Sequence, residues 1–120
     1  MMKKFFLLLT LLTLPAYAGI YEDSLSKNDK VFLYFYTPEC GTCRAFDSIY
    51  DELIPQHKDY KFVKVNARTA YGAHLMQKFR GKYVPYIILS NSKTKKNVEV
   101  VPYCAMNSLC IERALTNFKG

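Results

Sequence analysis

Val31-Phe32-Leu33-Tyr34-Phe35-Tyr36, followed by Thr37-Pro38-Glu39-Cys40-Gly41-Thr42-Cys43-Arg44, is the stretch that decides how this chain folds. The first six residues form an unbroken aromatic and β-branched run, which suits a strand buried on both faces. Thr37-Pro38-Glu39 ends that run. From Arg44 to Ile54, residues Phe46, Ile49, Tyr50, Leu53 and Ile54 then recur at helical spacing until Pro55. Cys40 and Cys43 therefore stand at a strand-to-helix junction. Two cysteines separated by two residues can close into a disulfide and reopen with little backbone movement, which makes the pair a candidate redox centre.

Beyond this junction, Tyr60 to Val65 places Phe62, Val63 and Val65 among lysines and reads as a second strand. Ala70 to Phe79 carries Ala73, Leu75, Met76 and Phe79 on one side and reads as a crossover helix. A strand, helix, strand order with short joins predicts a parallel pair with a right-handed crossover. Val84–Leu89 and Val98–Val101 read as an antiparallel hairpin around the turn Ser90–Asn97, and Ser108–Phe118 as a last helix capped by Asn107 or Ser108. Tyr21 to Lys30 reads as a polar leader. The order β, α, β, α, β, β, α predicts an α/β domain, a mixed central sheet of about four strands flanked by helices. Cys40 lies at the carboxyl end of its first strand, where such sheets place their sites.

Residues 1–18 have Lys3 and Lys4 near the start, an apolar stretch Phe5–Leu14 and the small-residue ending Ala16-Tyr17-Ala18. This is the pattern of a secretory signal peptide cut after Ala18. The stretch is shorter than the roughly 20 residues a spanning helix needs. A mature domain of residues 19–120 is expected, exported, in a bacterial periplasm if the signal is bacterial, and without stable membrane insertion after cleavage. Without Lys3 and Lys4 the formal charge falls from +7 to +5, with 15 basic and 10 acidic residues. The densest positive cluster, Lys93, Lys95 and Lys96, lies in the hairpin turn, so a solvated turn is expected and no nucleic-acid partner. Export also places all four cysteines where disulfides form and persist, and proximity favours pairing Cys40 with Cys43 and Cys104 with Cys110.

With these landmarks the chain resembles the thioredoxin superfamily over nearly all of residues 19–120. The resemblance rests on Cys40-Gly41-Thr42-Cys43 after an aromatic strand, on Lys64-Val65-Asn66 at the next strand's end, and on Val84-Pro85 opening the following strand. It implies a thioredoxin-like fold and thiol:disulfide exchange with protein thiols and disulfides. Cys40 would be the attacking thiol, Cys43 the resolving thiol, and Pro85 a cis proline facing them. Val84 would pair backbone to backbone with the substrate. A helix N-terminus at Cys40 supplies the physical reason, since unpaired N–H groups and the helix dipole stabilise a thiolate there.

The chain departs from the family pattern at two places. Glu39 stands where thioredoxins carry a tryptophan, and Tyr34 where they bury an aspartate that takes the proton of the inner thiol. Lys64 matches the lysine that accompanies that aspartate. The route by which Cys43 loses its proton is therefore left to water or Glu39. Gly41 and Thr42 replace the histidine that strong oxidants often hold between the cysteines, and the Glu39 charge disfavours a Cys40 thiolate while Arg44 favours it. The expected direction is reduction, with oxidation of substrates as the alternative.

Cys104 and Cys110 are expected to form a structural disulfide stapling the last helix to the sheet, with a second redox relay as the sharper alternative. A zinc site built from all four cysteines fits only the first spacing, and covalent haem does not fit because Arg44, not histidine, follows Cys43. A redox-silent peptide-binding module floored by Tyr36, Tyr83 and Tyr86 is the remaining class, although packing accounts for most tyrosines. His57 and His74 are expected at the surface. No cofactor is required, a membrane redox partner would reset the cysteine pair, and a monomer is expected.

Overall fold

Four strands, β1 (Lys30–Tyr36), β2 (Tyr60–Asn66), β3 (Tyr86–Asn91) and β4 (Asn97–Val100), form one sheet in the order β2-β1-β3-β4 in the computed structural model, which describes residues 19–118. The expected signal peptide lies outside the described residues. Helices α1 (Ile20–Lys27), α2 (Gly41–Gln56), α3 (Ala70–Phe79) and α4 (Ser108–Asn117) flank the sheet, and a 3-10 turn, Pro102–Met106, precedes α4. β1 runs parallel to β2, with Lys30 opposite Tyr60 and Tyr36 opposite Asn66. It runs antiparallel to β3, and β3 runs antiparallel to β4 as the predicted hairpin requires.

Alternation along β1 divides the interior into two cores. Phe32 and Tyr34 pack with Phe46, Tyr50 and Leu53 of α2 and with Ile111 and Leu115 of α4. Val31, Leu33 and Phe35 pack with Tyr21 of α1, Leu75 of α3, and Val63 and Val65 of β2. The continuous apolar run of β1 is thus explained by burial of both faces. Val84 packs against both cores, at the end of the sheet where Cys40 lies.

Apart from one-residue shifts at strand and helix ends, the structure departs from the sequence expectation at α1, α2 and β3. The expected polar leader is helix α1, fixed by tertiary contacts of one residue: Tyr21 is buried, its hydroxyl lies 2.7 Å from Ser90 Oγ, and its N–H donates to the Tyr71 hydroxyl at 2.9 Å. Helix α2 starts at Gly41 and continues through Pro55 to Gln56. β3 starts at Tyr86, so Val84 and Pro85 belong to the segment leading into the strand, and the bond between them is cis.

At the carboxyl end of β2, the same end of the sheet as the cysteine pair, α3 sits directly on the strand. A Cβ on Gly72 would collide with the Asn66 carbonyl oxygen, so glycine permits this approach. The lysine-rich turn is ordered by Asn91, whose Oδ1 accepts from the N–H groups of Lys93 at 2.9 Å and Thr94 at 3.1 Å. Lys93, Lys95 and Lys96 are exposed there, and Lys93 pairs with Asp29 at 3.3 Å.

Candidate functional site

Pro38 and Glu39 carry the chain from the end of β1 to Cys40, which is the N-cap of α2. Cys40 Sγ accepts from the Cys43 N–H at 3.0 Å, so the sulfur occupies the position a capping oxygen would fill and faces the positive end of the helix. Cys40 and Cys43 are joined as a disulfide, with Cα atoms 5.2 Å apart. The pair is asymmetric. Cys43 is 2% exposed, whereas Cys40 is only partly buried and flanked by exposed Gly41 and Thr42. An incoming sulfur therefore reaches Cys40 first.

Cys40 Sγ lies 3.8 Å from the carbonyl oxygen of Val84, which brings the cis Val84-Pro85 segment against the disulfide. Pro85 is buried and has no N–H, while Val84 is partly exposed.

Beneath the disulfide lies a polar cluster drawn from three elements. The Tyr34 hydroxyl on β1 is 3.1 Å from the Cys43 carbonyl oxygen and 2.9 Å from Asp47 Oδ1 on α2. Lys64 Nζ on β2 is 3.2 Å from the same Asp47 oxygen and stands 4.6 Å above the Tyr36 ring and 5.6 Å above the Tyr34 ring. Burial pushes the Tyr34 phenol far above its ordinary value, and the Asp47 charge adds to the effect. Tyr34 therefore stays protonated and serves only as a donor. Above the cluster, Glu39 forms an ion pair with Arg68 from the loop after β2, so its charge beside Cys40 is matched locally.

The second disulfide joins Cys104 of the 3-10 turn to Cys110 in the first turn of α4. Asn107 caps that helix, its Oδ1 accepting from the Cys110 N–H at 3.1 Å. Cys104 is buried in the same core as Cys43, and the disulfide also lines an apolar groove of about 620 Å³ between β4 and α4. The four cysteines make two separate pairs, and no group of three or more metal-ligating side chains gathers among the described residues.

The thioredoxin family model matches residues 13–107, a stretch that includes the cysteine pair, the Tyr34, Asp47 and Lys64 cluster, and Val84-Pro85. This chain belongs to the thioredoxin family. A thioredoxin of Mycoplasmoides gallisepticum is 39% identical over 49 residues, covering 41% of this chain and 49% of that protein. A thioredoxin domain-containing protein of Arabidopsis thaliana is 31% identical over 71 residues, covering 59% of this chain and 30% of that protein. The chain thus spans half or less of the length of these curated relatives. Among solved structures, a thioredoxin variant of Halobacterium salinarum superposes with a TM-score of 0.69 at 23% identity over 85% of this chain and 87% of that one. Oxidised mitochondrial thioredoxin 3 of Saccharomyces cerevisiae gives 0.68 at 18% identity over 82% and 87%. These likenesses establish the thioredoxin fold.

Within this thioredoxin-family site, the structure brings together Glu39, Cys40, Gly41, Thr42, Cys43, Lys64, Val84 and Pro85 at one end of the sheet, and places Cys104 and Cys110 in the wall of the same core. Asp47 and Arg68 are the residues that sequence reasoning missed. The spacing of Asp47 from Cys43 was an available signal, because residues four apart share a helix face. Of the tyrosines considered as a floor, Tyr86 is buried and donates to the Phe79 carbonyl at 2.9 Å, and Tyr83 packs edge-on against it and bonds Glu99. Only Tyr36 belongs to the cluster. His57 is partly exposed, its side chain 13% accessible and bonded to Glu112 of α4 at 2.7 Å, and His74 is exposed.

Proposed function

We propose that this protein is an exported thiol:disulfide oxidoreductase that exchanges disulfides with protein substrates through Cys40 and Cys43, chiefly as a reductase. The observation that carries the reading is the Cys40–Cys43 disulfide at the N-terminus of α2, facing the cis Val84-Pro85 segment. In the reduced protein the Cys40 thiolate, stabilised by the Cys43 N–H and the helix dipole, attacks a substrate disulfide. One substrate sulfur leaves as a thiolate and the other stays bonded to Cys40. Cys43 then attacks Cys40, the mixed disulfide breaks, and the substrate is released with two thiols while the protein keeps the disulfide. Val84 supplies backbone for the substrate chain, and a membrane redox partner returns the pair to the reduced state. No cofactor takes part, and the protein acts as a monomer.

Export is supported by Lys3, Lys4, the apolar stretch Phe5–Leu14 and Ala16-Tyr17-Ala18. Among the described residues no helix is long and apolar enough to cross a membrane. Reduction is favoured because the Cys40 thiolate has no charged partner inside the motif, where Gly41 and Thr42 stand, and Arg68 is occupied by Glu39. A thiolate of modest stability makes a reducing pair.

The test is the reduction potential of the Cys40 and Cys43 pair, together with its state trapped in cells. A potential near the thioredoxin value of about −270 mV supports a reductase, and one near about −120 mV replaces it with an oxidant. Cell fractionation and the mass of the mature N-terminus decide the compartment and cleavage after Ala18.

A further inference from the structure

Cys43 poses a protonation problem that the exchange reaction must solve. It is 2% exposed, and a free thiol of ordinary acidity, with a pKa of about 8.5, is almost fully protonated at neutral pH. Before Cys43 can attack Cys40 its proton has to leave, and bulk water has little access to it.

We propose that Asp47 is the proton acceptor of Cys43, with Tyr34 and Lys64 as its positioning residues. This rests on the exchange reaction proposed above. Asp47 lies four residues after Cys43 in α2, on the same helix face, where Cβ atoms are about 5–6 Å apart. A proton acceptor must come within hydrogen-bond reach of the thiol, directly or through one water, and an i, i+4 neighbour is placed to do so. The Tyr34 hydroxyl touches both the Cys43 carbonyl and Asp47 Oδ1, which ties the carboxylate to the turn that carries the thiol. Lys64 holds the same Oδ1 from the neighbouring strand. Among the described residues both donors thus engage one oxygen, Oδ1, and none engages Oδ2. It is the oxygen left to accept a proton. Asp47 is about one-third exposed, so it can pass that proton on to solvent.

The other ionisable groups around the cluster do not fill the role. Tyr34 and Tyr50 are pushed well above the ordinary phenol value by burial and neighbouring carboxylates, and keep their protons. Tyr36 lies under the Lys64 ammonium, and Asp51, one turn beyond Asp47, is exposed. Glu39, the acid that the sequence alone suggested, is paired with Arg68. Asp47 is the carboxylate that shares a helix face and a hydrogen-bonded neighbour with Cys43.

In the resolving step the Cys43 S–H proton passes to Asp47, and the Cys43 sulfur forms its bond to Cys40 Sγ. The bond between Cys40 Sγ and the substrate sulfur breaks, and the electron pair leaves on the substrate sulfur, which is protonated by solvent. Asp47 releases its proton to water. Two electrons have moved from the cysteine pair to the substrate. In the oxidising direction the same groups act in reverse, and protonated Asp47 returns the proton to the departing Cys43 thiolate.

A small aromatic disulfide, 5,5′-dithiobis(2-nitrobenzoate), separates the two steps in the full chain. The first coloured thiolate released reports attack by Cys40, and the second reports resolution by Cys43. Asp47→Asn should slow the second phase at pH 7 by roughly 10- to 100-fold, leave the first within about twofold, and make the second phase climb steadily towards the thiol's own ionisation. Asp47→Glu should recover most of the rate, and Tyr34→Phe should fall between wild type and Asp47→Asn. If Asp47→Asn fails to fold, Lys64→Met is read instead. It keeps the carboxylate but removes the side chain that holds Oδ1 from β2, so the second phase should slow several-fold at pH 7 while the first stays within about twofold. A second phase in Asp47→Asn that superimposes on wild type from pH 5 to pH 9 overturns the proposal, as does a second phase in Lys64→Met that is unchanged relative to the first. Absence of a first phase in the wild-type protein would instead remove the exchange reaction itself.

Discussion

Replacing Cys104 and Cys110 together by alanine isolates the second disulfide from the first. The crosslink joins residues six apart in sequence, from the 3-10 turn to the first turn of α4. The closed loop has about seven residues, and the chain-entropy relation gives about 8 cal/mol/K, or about 2.4 kcal/mol at 25 °C. That is a large share of the roughly 5–15 kcal/mol by which small domains are stable. With a urea m-value of about 1 kcal/mol/M, the midpoint of Cys104→Ala/Cys110→Ala should fall by about 2 M. Equilibrium unfolding in urea followed by circular dichroism reads this directly, with the Cys40–Cys43 disulfide kept closed in both proteins. Exchange with a protein disulfide should stay within about twofold, because the chemistry is assigned to Cys40 and Cys43. A loss of stability below about 0.5 kcal/mol would refute the staple. A collapse of exchange in a variant that melts like wild type would make the pair a relay.

Three further outcomes follow from the packing and electrostatics. Burial raises the phenols of Tyr21, Tyr34, Tyr50 and Tyr60, and that of Tyr86 is pushed up to about 12. These groups stabilise the fold fully below the unfolded value of about 10, and each then subtracts up to about 1.4 kcal/mol per pH unit above it. Phenolate absorbance should therefore rise cooperatively with unfolding between about pH 10.5 and 12, and independent titration near pH 10 with the native spectrum retained would contradict the burial. Gly72→Ala should destabilise the domain by about 1–3 kcal/mol in urea despite alanine's better helix propensity, because the new Cβ meets the Asn66 backbone; equal or greater stability would show that α3 can shift. At Gly41 a Cβ meets nothing within 4 Å, so Gly41→His should fold normally and raise the reduction potential by roughly 30 mV or more through a cation beside the Cys40 thiolate. An unchanged potential would show that the histidine points away.

How much of this was legible in the sequence depended on whether a feature is local. β1, the cysteine junction and α2 are encoded by a continuous apolar run, a short spacing and a helical period, all within residues 31–54. The parallel crossover and the hairpin follow from element order alone. Helix α1 was not legible, because Ile20–Lys27 has few apolar residues and owes its place to Tyr21 reaching Ser90 and Tyr71 across the fold. The acid below the cysteines was missed for a related reason. Position 34, where an aspartate was sought, holds a tyrosine, and the carboxylate arrives from α2 to meet its hydroxyl. Comparing one position at a time registers a loss where the folded chain has moved a charge to a neighbouring element. The Glu39–Arg68 and His57–Glu112 pairs join residues far apart in sequence, and no local pattern announces them.

Val84 packs against both cores while its carbonyl stands beside Cys40. On the proposal that Val84 receives a substrate chain, a platform braced from both sides of a sheet has little freedom to tilt when a peptide is drawn across it. Its orientation is set jointly by the two interiors, most of whose residues lie outside the described site. Mutational drift in either interior would then be felt as altered substrate choice before it is felt as lost chemistry.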